Sequence, residues 1–203
     1  MPTAVIIAGG RSTRFSDQDK AVADLAGTPM IRRVADAIAE VVDSVVINCR
    51  ADQREAIESA MTGYDAPVSI AEDERPDAGP TAGIMTGLRA VDSEYAFVVA
   101  CDMPFVDPSF VEFLFDRAAG HDGAVPLLDD GWYQTTQAVY RAEAMADACE
   151  LALDAGERKV LAALDRIECV TVEEDAVRDH ADLQTFRNLN TNEEFAAATA
   201  EFE

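Results

Sequence analysis

The sequence predicts an α/β protein in which a mostly parallel β-sheet carries helices on both of its faces. Short apolar segments alternate with longer segments whose apolar residues recur at helical spacing. The first apolar segment, Ala4–Ala8, is β-branched and bounded by Gly9-Gly10, as a buried parallel strand would be. No long linker, repeat or low-complexity segment divides the chain, so residues 1–203 are expected to form a single domain.

The first half of the chain supplies strands and helices in alternation. Pro29–Val42 has apolar residues at helical spacing behind a proline that suits a first turn, and Asp107 is a suitable N-cap for the helix that follows it. The predicted strands are Ala4–Ala8, Ser44–Asn48, Val68–Ala71 and Tyr95–Ala100. The predicted helices are Pro29–Val42, Asp52–Met61, Thr81–Val91 and Pro108–Ala119, and Glu72–Pro80 is a polar loop.

The last third of the chain is less regular and is expected to embellish the sheet. Ile167–Val172 alternates between apolar and polar residues, which is typical of an edge strand. The other predicted strands are Gly123–Leu127 and Thr136–Tyr140, and the predicted helices are Ala142–Leu153, Arg158–Leu164 and Asn192–Ala200.

The chain is strongly acidic, with a net charge of −23 from 39 acidic and 16 basic residues. The acidic residues are dispersed, and an acidic surface repels phosphates outside local basic pockets, so nucleic acid is not expected as a partner. We expect adaptation to a halophilic, high-salt cytoplasm, where dense carboxylates keep the surface hydrated and salt weakens their mutual repulsion. Lysine occurs only at Lys20 and Lys159, which indicates specific roles for both.

Several classes of protein are disfavoured. No apolar run reaches the length of about 18 residues that suggests a membrane span, so a membrane is not expected as a partner. The opening residues lack a basic region before their apolar run, which favours a strand over a secretion signal and predicts a cytoplasmic protein. The four cysteines and two histidines lack zinc-site spacing, so the cysteines are expected to be reduced core residues.

The loop after the first strand is the first candidate for chemistry. Ligands of open parallel sheets bind beyond the carboxyl ends of the strands, and adjacent glycines let backbone N–H groups approach a phosphate. Arg14 and Lys20 add positive charge. The loop matches neither the P-loop nor the G-x-G-x-x-G pattern, so an ordinary glycine turn is the alternative. Two nearby cations in so acidic a chain favour a triphosphate site.

Carboxylates follow two further strands and would reach the same edge of the sheet. Asp102 lies in Cys101-Asp102-Met103-Pro104, directly after Tyr95–Ala100, and Asp73 follows the third predicted strand. Mg²⁺ prefers oxygen ligands and often uses only one or two carboxylates, keeping several waters. A turn or N-cap aspartate is the alternative for Asp102, but together with the glycine and basic loop it predicts a metal–phosphate site. Gly79-Pro80 opens a helix whose N-terminus can face an anion or a nucleobase.

These motifs are similar to those of the molybdenum cofactor guanylyltransferase (MobA) family. The resemblance runs from about Ile6 to Phe195 and rests on A-G-G-x-S-x-R with D-K, G-P-T-A-G-I, C-D-M-P-F and N-L-N-T, in that order. It implies a Rossmann-like nucleotidyltransferase fold and the transfer of GMP from GTP to molybdenum-bearing molybdopterin, with release of pyrophosphate and with Mg²⁺ as cofactor. It also implies transient contacts with molybdenum-insertion proteins or molybdoenzymes.

The resemblance assigns roles to individual residues. The backbone of Ile7, Ala8 and Gly9 would border the guanine and ribose, and Gly10 would turn toward the phosphates. The catalytic residues would be Arg14 and Lys20, which hold the triphosphate, and Asp102, which binds Mg²⁺ and contacts the nucleotide. Asn48 would contact the nucleotide, and Asp73 would contact the base or the ribose. The acceptor side would include Arg158, Lys159 and Asn190.

The chain departs from the family pattern at two places, and other activities remain open. Phe15-Ser16-Asp17-Gln18 stands where the family usually has glycine before D-K, so the phosphate contacts of that loop are in question, and Met103 replaces the common threonine. The alternatives are a CTP-using relative, a cobinamide-phosphate or sugar-phosphate transferase, and a nucleotide-sensing protein without turnover. A nicotinamide-dependent oxidoreductase is disfavoured because G-x-G-x-x-G is absent.

Overall fold

The structure is a computed structural model that describes residues 2–10, 19–73 and 78–202. Its strands are β1 (Thr3–Ile7), β2 (Asp24–Leu25), β3 (Thr28–Pro29), β4 (Ser44–Cys49), β5 (Val68–Glu72), β6 (Tyr95–Ala100), β7 (Gly123–Leu127), β8 (Gln137–Arg141) and β9 (Cys169–Glu173). Its α-helices are α1 (Met30–Ala37), α2 (Arg54–Ala60), α3 (Pro80–Arg89), α4 (Pro108–Ala118), α5 (Ala142–Asp154), α6 (Val160–Leu164), α7 (Glu174–Arg178) and α8 (Asn192–Phe202). Short 3₁₀ turns lie at Lys20–Val22, Ala51–Gln53 and Leu183–Phe186.

The main sheet has the strand order β5-β4-β1-β6-β8-β7-β9, while β2 and β3 form a separate hairpin. β1 lies between β4 and β6 and is parallel to both, and β5 continues the parallel arrangement beside β4. Among the described strands of this sheet, β8 alone runs against its neighbours. The chain moves outward from β1 to β5 and then crosses back to β6. Such a reversal of strand order opens a crevice at the carboxyl ends of the strands beside β1.

Helices cover both faces of the sheet because its central strands are apolar on both sides. In β1, Ala4 and Ile6 pack in a cluster with residues of α1, α2 and α4. Val5, between them, packs with residues of α3, α5 and α6. All three β1 side chains are fully buried. The predicted mostly parallel sheet with helices on both faces is confirmed.

A glycine allows α3 to lie close against β1. A Cβ at Gly87 would lie 2.3 Å from Cγ1 of Val5, far inside the contact distance of two carbon atoms. The short approach brings the N-terminal turn of α3 over the carboxyl end of the sheet, where the candidate site lies.

A smaller core holds the C-terminal helix against the β2–β3 hairpin. Leu25 and Met30 pack there with Leu189 and with α8. The ring of Phe202 stacks on Phe105 at a centroid distance of 5.1 Å. This packing brings the segment just before α8 next to the residues that follow β1.

The helix and strand bounds differ from the predictions at a few places. α1 ends at Ala37 rather than Val42, because residues 38–41 form turns, and Val42 beyond them is still buried. α6 begins at Val160, with Arg158 outside it. The β2–β3 hairpin was not predicted; Ala26 and Gly27 form its turn, both with positive φ. In the described ranges, no helix combines the length and the apolar character that a membrane span requires.

Candidate active site

The loops of the candidate site meet at the carboxyl edge of the parallel strands. The Ala8 N–H donates to the Asn48 carbonyl at 2.8 Å, and the Cys101 N–H donates to the Ile7 carbonyl at 3.0 Å. The Asp73 N–H donates to the Cys49 carbonyl at 2.9 Å. These bonds extend the ladders beyond the strands themselves. We call Gly9-Gly10 the glycine turn. It therefore leaves the sheet side by side with the aspartates that follow β5 and β6.

The ammonium group of Lys20 lies between two side-chain oxygens that accept hydrogen bonds from it and that come from other segments of the chain. Its ammonium nitrogen is 2.6 Å from Oδ2 of Asp102 and 3.0 Å from Oδ1 of Asn190. The side chains of Lys20 and Asp102 retain 11% and 19% of their exposure, so the pair is mostly buried but still reaches solvent. A mostly buried charge pair that keeps an opening is suited to bind a charged ligand rather than only to stabilise the core.

Asp102 also has an oxygen that is available to a cation. Its second carboxylate oxygen, Oδ1, is buried and lacks a hydrogen-bond partner among the described residues. Leaving a charged oxygen unsatisfied is costly, and a bound metal ion would satisfy it. The described residues contain no cluster of three or more His, Cys, Asp or Glu suited to a metal. Such a metal would therefore draw most of its ligands from substrate phosphates and water, as Mg²⁺ commonly does.

Asn48 and Asp73 form a second polar pair beside the glycines. The Asn48 amide donates to Oδ1 of Asp73 at 2.7 Å and to the Ala71 carbonyl at 3.2 Å. Oδ1 of Asn48 is fully buried and lacks a hydrogen-bond partner in the described part of the chain. A Cβ at Gly9 would lie 2.3 Å from Oδ2 of Asp73, and one at Gly83 would lie 2.5 Å from Oδ1 of Asn48. Both glycines thus leave room for this pair.

Two residues that sequence reasoning missed, Arg50 and Gln53, hold the glycine turn. One guanidinium nitrogen of Arg50 donates to the carbonyls of Gly9 and Gly10, both at 3.0 Å. The Gln53 amide donates to the Ala8 carbonyl at 2.9 Å and to Asp19 at 2.6 Å. Arg50 directly follows β4, but a charged residue at that place does not by itself indicate which carbonyls its side chain will bind.

The segment before α8 is fixed by a capping box. The Glu194 carboxylate accepts from the Asn190 and Thr191 N–H groups, and the Glu194 N–H donates to the Thr191 hydroxyl. The bond from the Asn190 N–H, followed by that from Thr191, lowers the pKa of Glu194. The Leu189 N–H also donates to the Asp102 carbonyl at 3.0 Å. These bonds hold the Asn190 side chain against the Lys20 ammonium group, next to Asp102, the proposed metal ligand.

Of the remaining predicted residues, two lie on the segment before α6 and one lies outside the described ranges. Arg14 belongs to residues 11–18, which are outside them. Arg158 and Lys159 are exposed, immediately before α6. The Arg158 carbonyl accepts from the Thr81 hydroxyl at 2.8 Å, which places this basic pair beside the N-terminal turn of α3.

The loop between β7 and β8 displays an aromatic residue at the same edge. Its last residues reach the site, since the Ala100 N–H donates to the Thr136 carbonyl at 3.1 Å. Trp132, the single tryptophan of the chain, is 67% exposed on this loop. The loop is braced, because the Asp129 N–H donates to the largely buried Glu174 carboxylate at 2.8 Å. The braced loop thus presents the indole to solvent.

Two cysteines near the site are held in the thiol form. Burial, followed by the negative charges of Glu72 and Asp73, raises the pKa of Cys49 to about 11. Burial and then the charge of Asp102 raise the pKa of Cys101 well above the ordinary value. Neither is suited to act as a thiolate nucleophile at neutral pH.

Comparison with known proteins identifies the family to which these features belong. A curated relative from Natronomonas pharaonis, named "Probable molybdenum cofactor guanylyltransferase", is 47% identical over 97% of this chain and 96% of its own. A relative of the same name from Haloferax mediterranei is 38% identical over 97% of this chain and 92% of its own. Both source genera are halophilic, in keeping with the acidic composition predicted to reflect high salt.

Solved structures agree with this relationship. The molybdopterin-guanine dinucleotide biosynthesis protein A of Archaeoglobus fulgidus superposes with a TM-score of 0.79 and 28% identity, covering 100% of this chain and 98% of that one. A 4-diphosphocytidyl-2C-methyl-D-erythritol synthase from Anaerococcus prevotii shares the fold, with a TM-score of 0.74 at 14% identity, covering 99% and 97% of the two chains. The family model described as the MobA-like NTP transferase domain matches residues 4–167. The chain belongs to the MobA-like NTP transferase family.

Proposed function

We propose that this protein transfers GMP from GTP to molybdenum-bearing molybdopterin and releases pyrophosphate, with the whole chain working as one nucleotidyltransferase domain. The observation that carries the proposal is Lys20, held between Asp102 and Asn190 at the edge where the glycine turn ends. A cation poised beside an unsatisfied carboxylate oxygen suits a triphosphate that arrives with its metal. The names of the relatives supply the acceptor and the base.

The chemistry asks mainly for positioning and neutralisation of charge. The acceptor phosphate is already ionised at neutral pH, so a strong general base is not needed for its attack on the α-phosphorus of GTP. Lys20, with Arg14, would neutralise the departing pyrophosphate. Mg²⁺ held by Asp102 and the substrate phosphates would supply further electrostatic stabilisation. The buried, unsatisfied Oδ1 of Asp102 supports this assignment.

The nucleoside would lie over the carboxyl end of β1. The backbone of Ile7, Ala8, Gly9 and Gly10 would border it, with Asn48 and Asp73 below. A carboxylate and an amide oxygen can accept the N–H and O–H groups that guanine and ribose present. The two acceptors lie against Gly9 and Gly83, directly beside the segment that follows β1, and this position supports the assignment.

The acceptor would approach from the side of α6 and the β7–β8 loop. Arg158 and Lys159 would attract its phosphate, and Asn190 would position Lys20 at the junction of the two substrates. Trp132 offers a flat apolar face for a ring of the acceptor. This proposal places the protein in the cytoplasm and allows brief contacts with molybdenum-insertion proteins or molybdoenzymes.

The decisive experiment is guanylylation of molybdenum-loaded molybdopterin with labelled GTP in molar KCl with MgCl₂. Transfer of the label together with pyrophosphate release is expected, and GTP should be preferred over CTP and ATP. Preference for CTP would indicate that the protein is a cytidylyltransferase instead. Binding of GTP without pyrophosphate release in the presence of the acceptor would instead indicate a nucleotide sensor. Quenching of Trp132 fluorescence by the acceptor reports on the acceptor side separately.

A further inference from the structure

We propose that Arg50 and Gln53 are positioning residues that turn the carbonyls of the glycine loop away from the crevice, so that its amide groups face the nucleotide. The inference rests on the proposed function only in taking GTP as the nucleotide. Neither residue belongs to the motifs that identify the family in this chain. Both come from the end of β4 and the 3₁₀ turn that follows it.

The two side chains bind three successive carbonyls. Gln53 holds that of Ala8 at 2.9 Å, and Arg50 holds those of Gly9 and Gly10 at 3.0 Å each. In a planar trans peptide the C=O and the following N–H point in opposite directions. The Gly9 and Gly10 N–H groups therefore point away from Gln53 and Arg50. Neither donates a hydrogen bond to another described residue.

Two N–H groups that have no acceptor among the described residues are available to donate to an anion such as a phosphate. The position that a side chain would take at Gly9 faces Asp73 and Asn48, the two residues proposed to contact the nucleotide, so the same segment borders the proposed nucleotide site. We call the Arg50 and Gln53 side chains together the clamp. Without the clamp, the carbonyls of Ala8 and Gly9 could rotate toward the ligand and repel its phosphates.

The side chains of Arg50 and Gln53 also contact Asp19, and so connect it to the two glycines that follow β1. Gln53 donates to Asp19 at 2.6 Å, and a guanidinium nitrogen of Arg50 lies 3.6 Å from the same carboxylate oxygen. Asp19 in turn caps the short turn that begins with Lys20, accepting from the Ala21 N–H. The clamp thus sets the distance between the glycine amides and the Lys20 ammonium.

The geometry indicates that Arg50 acts through its shape rather than its charge. Its charge is already balanced by Asp19 and by Asp52, 3.0 Å from its Nε. Its side chain is only 13% exposed. A rigid guanidinium fork can bind two carbonyls and a carboxylate at once, whereas a lysine ammonium on a flexible stem matches this geometry poorly.

The test measures nucleotide binding without an acceptor, by calorimetric titration of Mg-GTP and of Mg-pyrophosphate in molar KCl. Arg50→Lys and Arg50→Ala should both weaken binding of GTP by about tenfold or more. Each lets the backbone N–H groups of the two glycines turn away from the charged phosphates to which they would donate. Gln53→Glu should do the same, since it places a carboxylate oxygen against the Ala8 carbonyl and Asp19. Arg54→Ala is the matched control: it removes a nearby arginine paired with Glu58 and Glu72 that has no bond to the turn.

The outcomes separate this inference from the proposed function. Loss of GTP and pyrophosphate binding in the Arg50 and Gln53 variants, with melting temperatures similar to that of Arg54→Ala, supports the clamp. Wild-type affinity in Arg50→Lys would show that charge alone matters and would overturn it. If the wild-type protein does not prefer GTP, then GTP is not the nucleotide that supplies the transferred group, and the proposed function fails. The effect of the Arg50 and Gln53 variants on pyrophosphate binding then still tests the positioning role of these two residues.

Discussion

Gly83 offers a test of how tightly the candidate nucleotide site is packed. It lies within α3, where replacing glycine by alanine ordinarily stabilises a helix by about 1 kcal/mol. In this chain the added Cβ would lie 2.5 Å from Oδ1 of Asn48 and 3.2 Å from Cγ2 of Ile7. The first distance is about an ångström short of normal contact. Asn48 is fully buried, so it has little room to move.

The size of the effect follows from what Asn48 would lose. Overpacking of a well-packed core costs about 1–3 kcal/mol. Displacing Asn48 also stretches its bond to Asp73, and bonds to charged groups contribute about 1.5–3 kcal/mol. After the gain in helix propensity of about 1 kcal/mol, we expect Gly83→Ala to lower the free energy of unfolding by about 1.5–5 kcal/mol, which lowers the melting temperature by roughly 3–20 °C at this size. The KM for GTP should rise about tenfold, with a smaller change in the acceptor KM.

Gly87→Ala is the control, because its Cβ would clash with Val5 at 2.3 Å within the apolar layer and only touch Asn48 at 3.7 Å. It should destabilise the protein while leaving the KM for GTP near the wild-type value below the melting transition. Thermal unfolding and steady-state kinetics on both variants give the answer. Increased stability and an unchanged KM in Gly83→Ala would refute the reasoning that Asn48 is held in place at the site.

Three further predictions address Lys20, Glu174 and Cys49. Lys20→Met should abolish turnover and cost about 1–2 kcal/mol, since it leaves the mostly buried Asp102 without its partner; stability above the wild type in denaturant titration would contradict this. The pKa of Glu174 is lowered by the Asp129 N–H and then by Arg178, so its stabilisation is present above the unfolded-state pKa and is lost as the pH falls through the folded-state value. Glu174→Gln should therefore lower the melting temperature at neutral pH and narrow its gap to the wild type in acid, and an equal gap at both pH values would argue against the bond. Cys49, fully buried with a pKa raised to about 11, should resist alkylation at pH 8 in the folded protein, and rapid labelling by mass spectrometry would show that the end of β4 opens.

The fold was predictable to the extent that local pattern determines it. Val5 and Ile6 belong to a strand in any reading of the sequence, because a short β-branched run between polar segments has few alternatives. The β2–β3 hairpin was missed because its strands have only two residues each, and its turn uses Ala26 with a positive φ, which few sequence rules anticipate.

The candidate site was predictable for residues that follow strands and not for those that reach it through space. Asp73 directly follows β5, and Asp102 follows β6 after one intervening residue, so topology alone brings them to one edge. The contact of Asn190 with Lys20 depends on the packing of α8 against the hairpin, a separation of 170 residues along the chain. Arg50 and Gln53 act on backbone carbonyls, and no sequence pattern records which carbonyl a side chain will bind.

The central claim is that Asp102 and the turn after β1 act on one triphosphate and its metal. It is tested most directly by Asp102→Ala, measured as pyrophosphate release from GTP with Mg²⁺ and acceptor present. Asp107→Ala is the control, because it removes a nearby aspartate that only caps α4 and should cost about 1 kcal/mol of stability without loss of turnover. We predict that Asp102→Ala stays folded by circular dichroism and loses turnover by at least about a hundredfold. Near-normal turnover in Asp102→Ala would contradict the account.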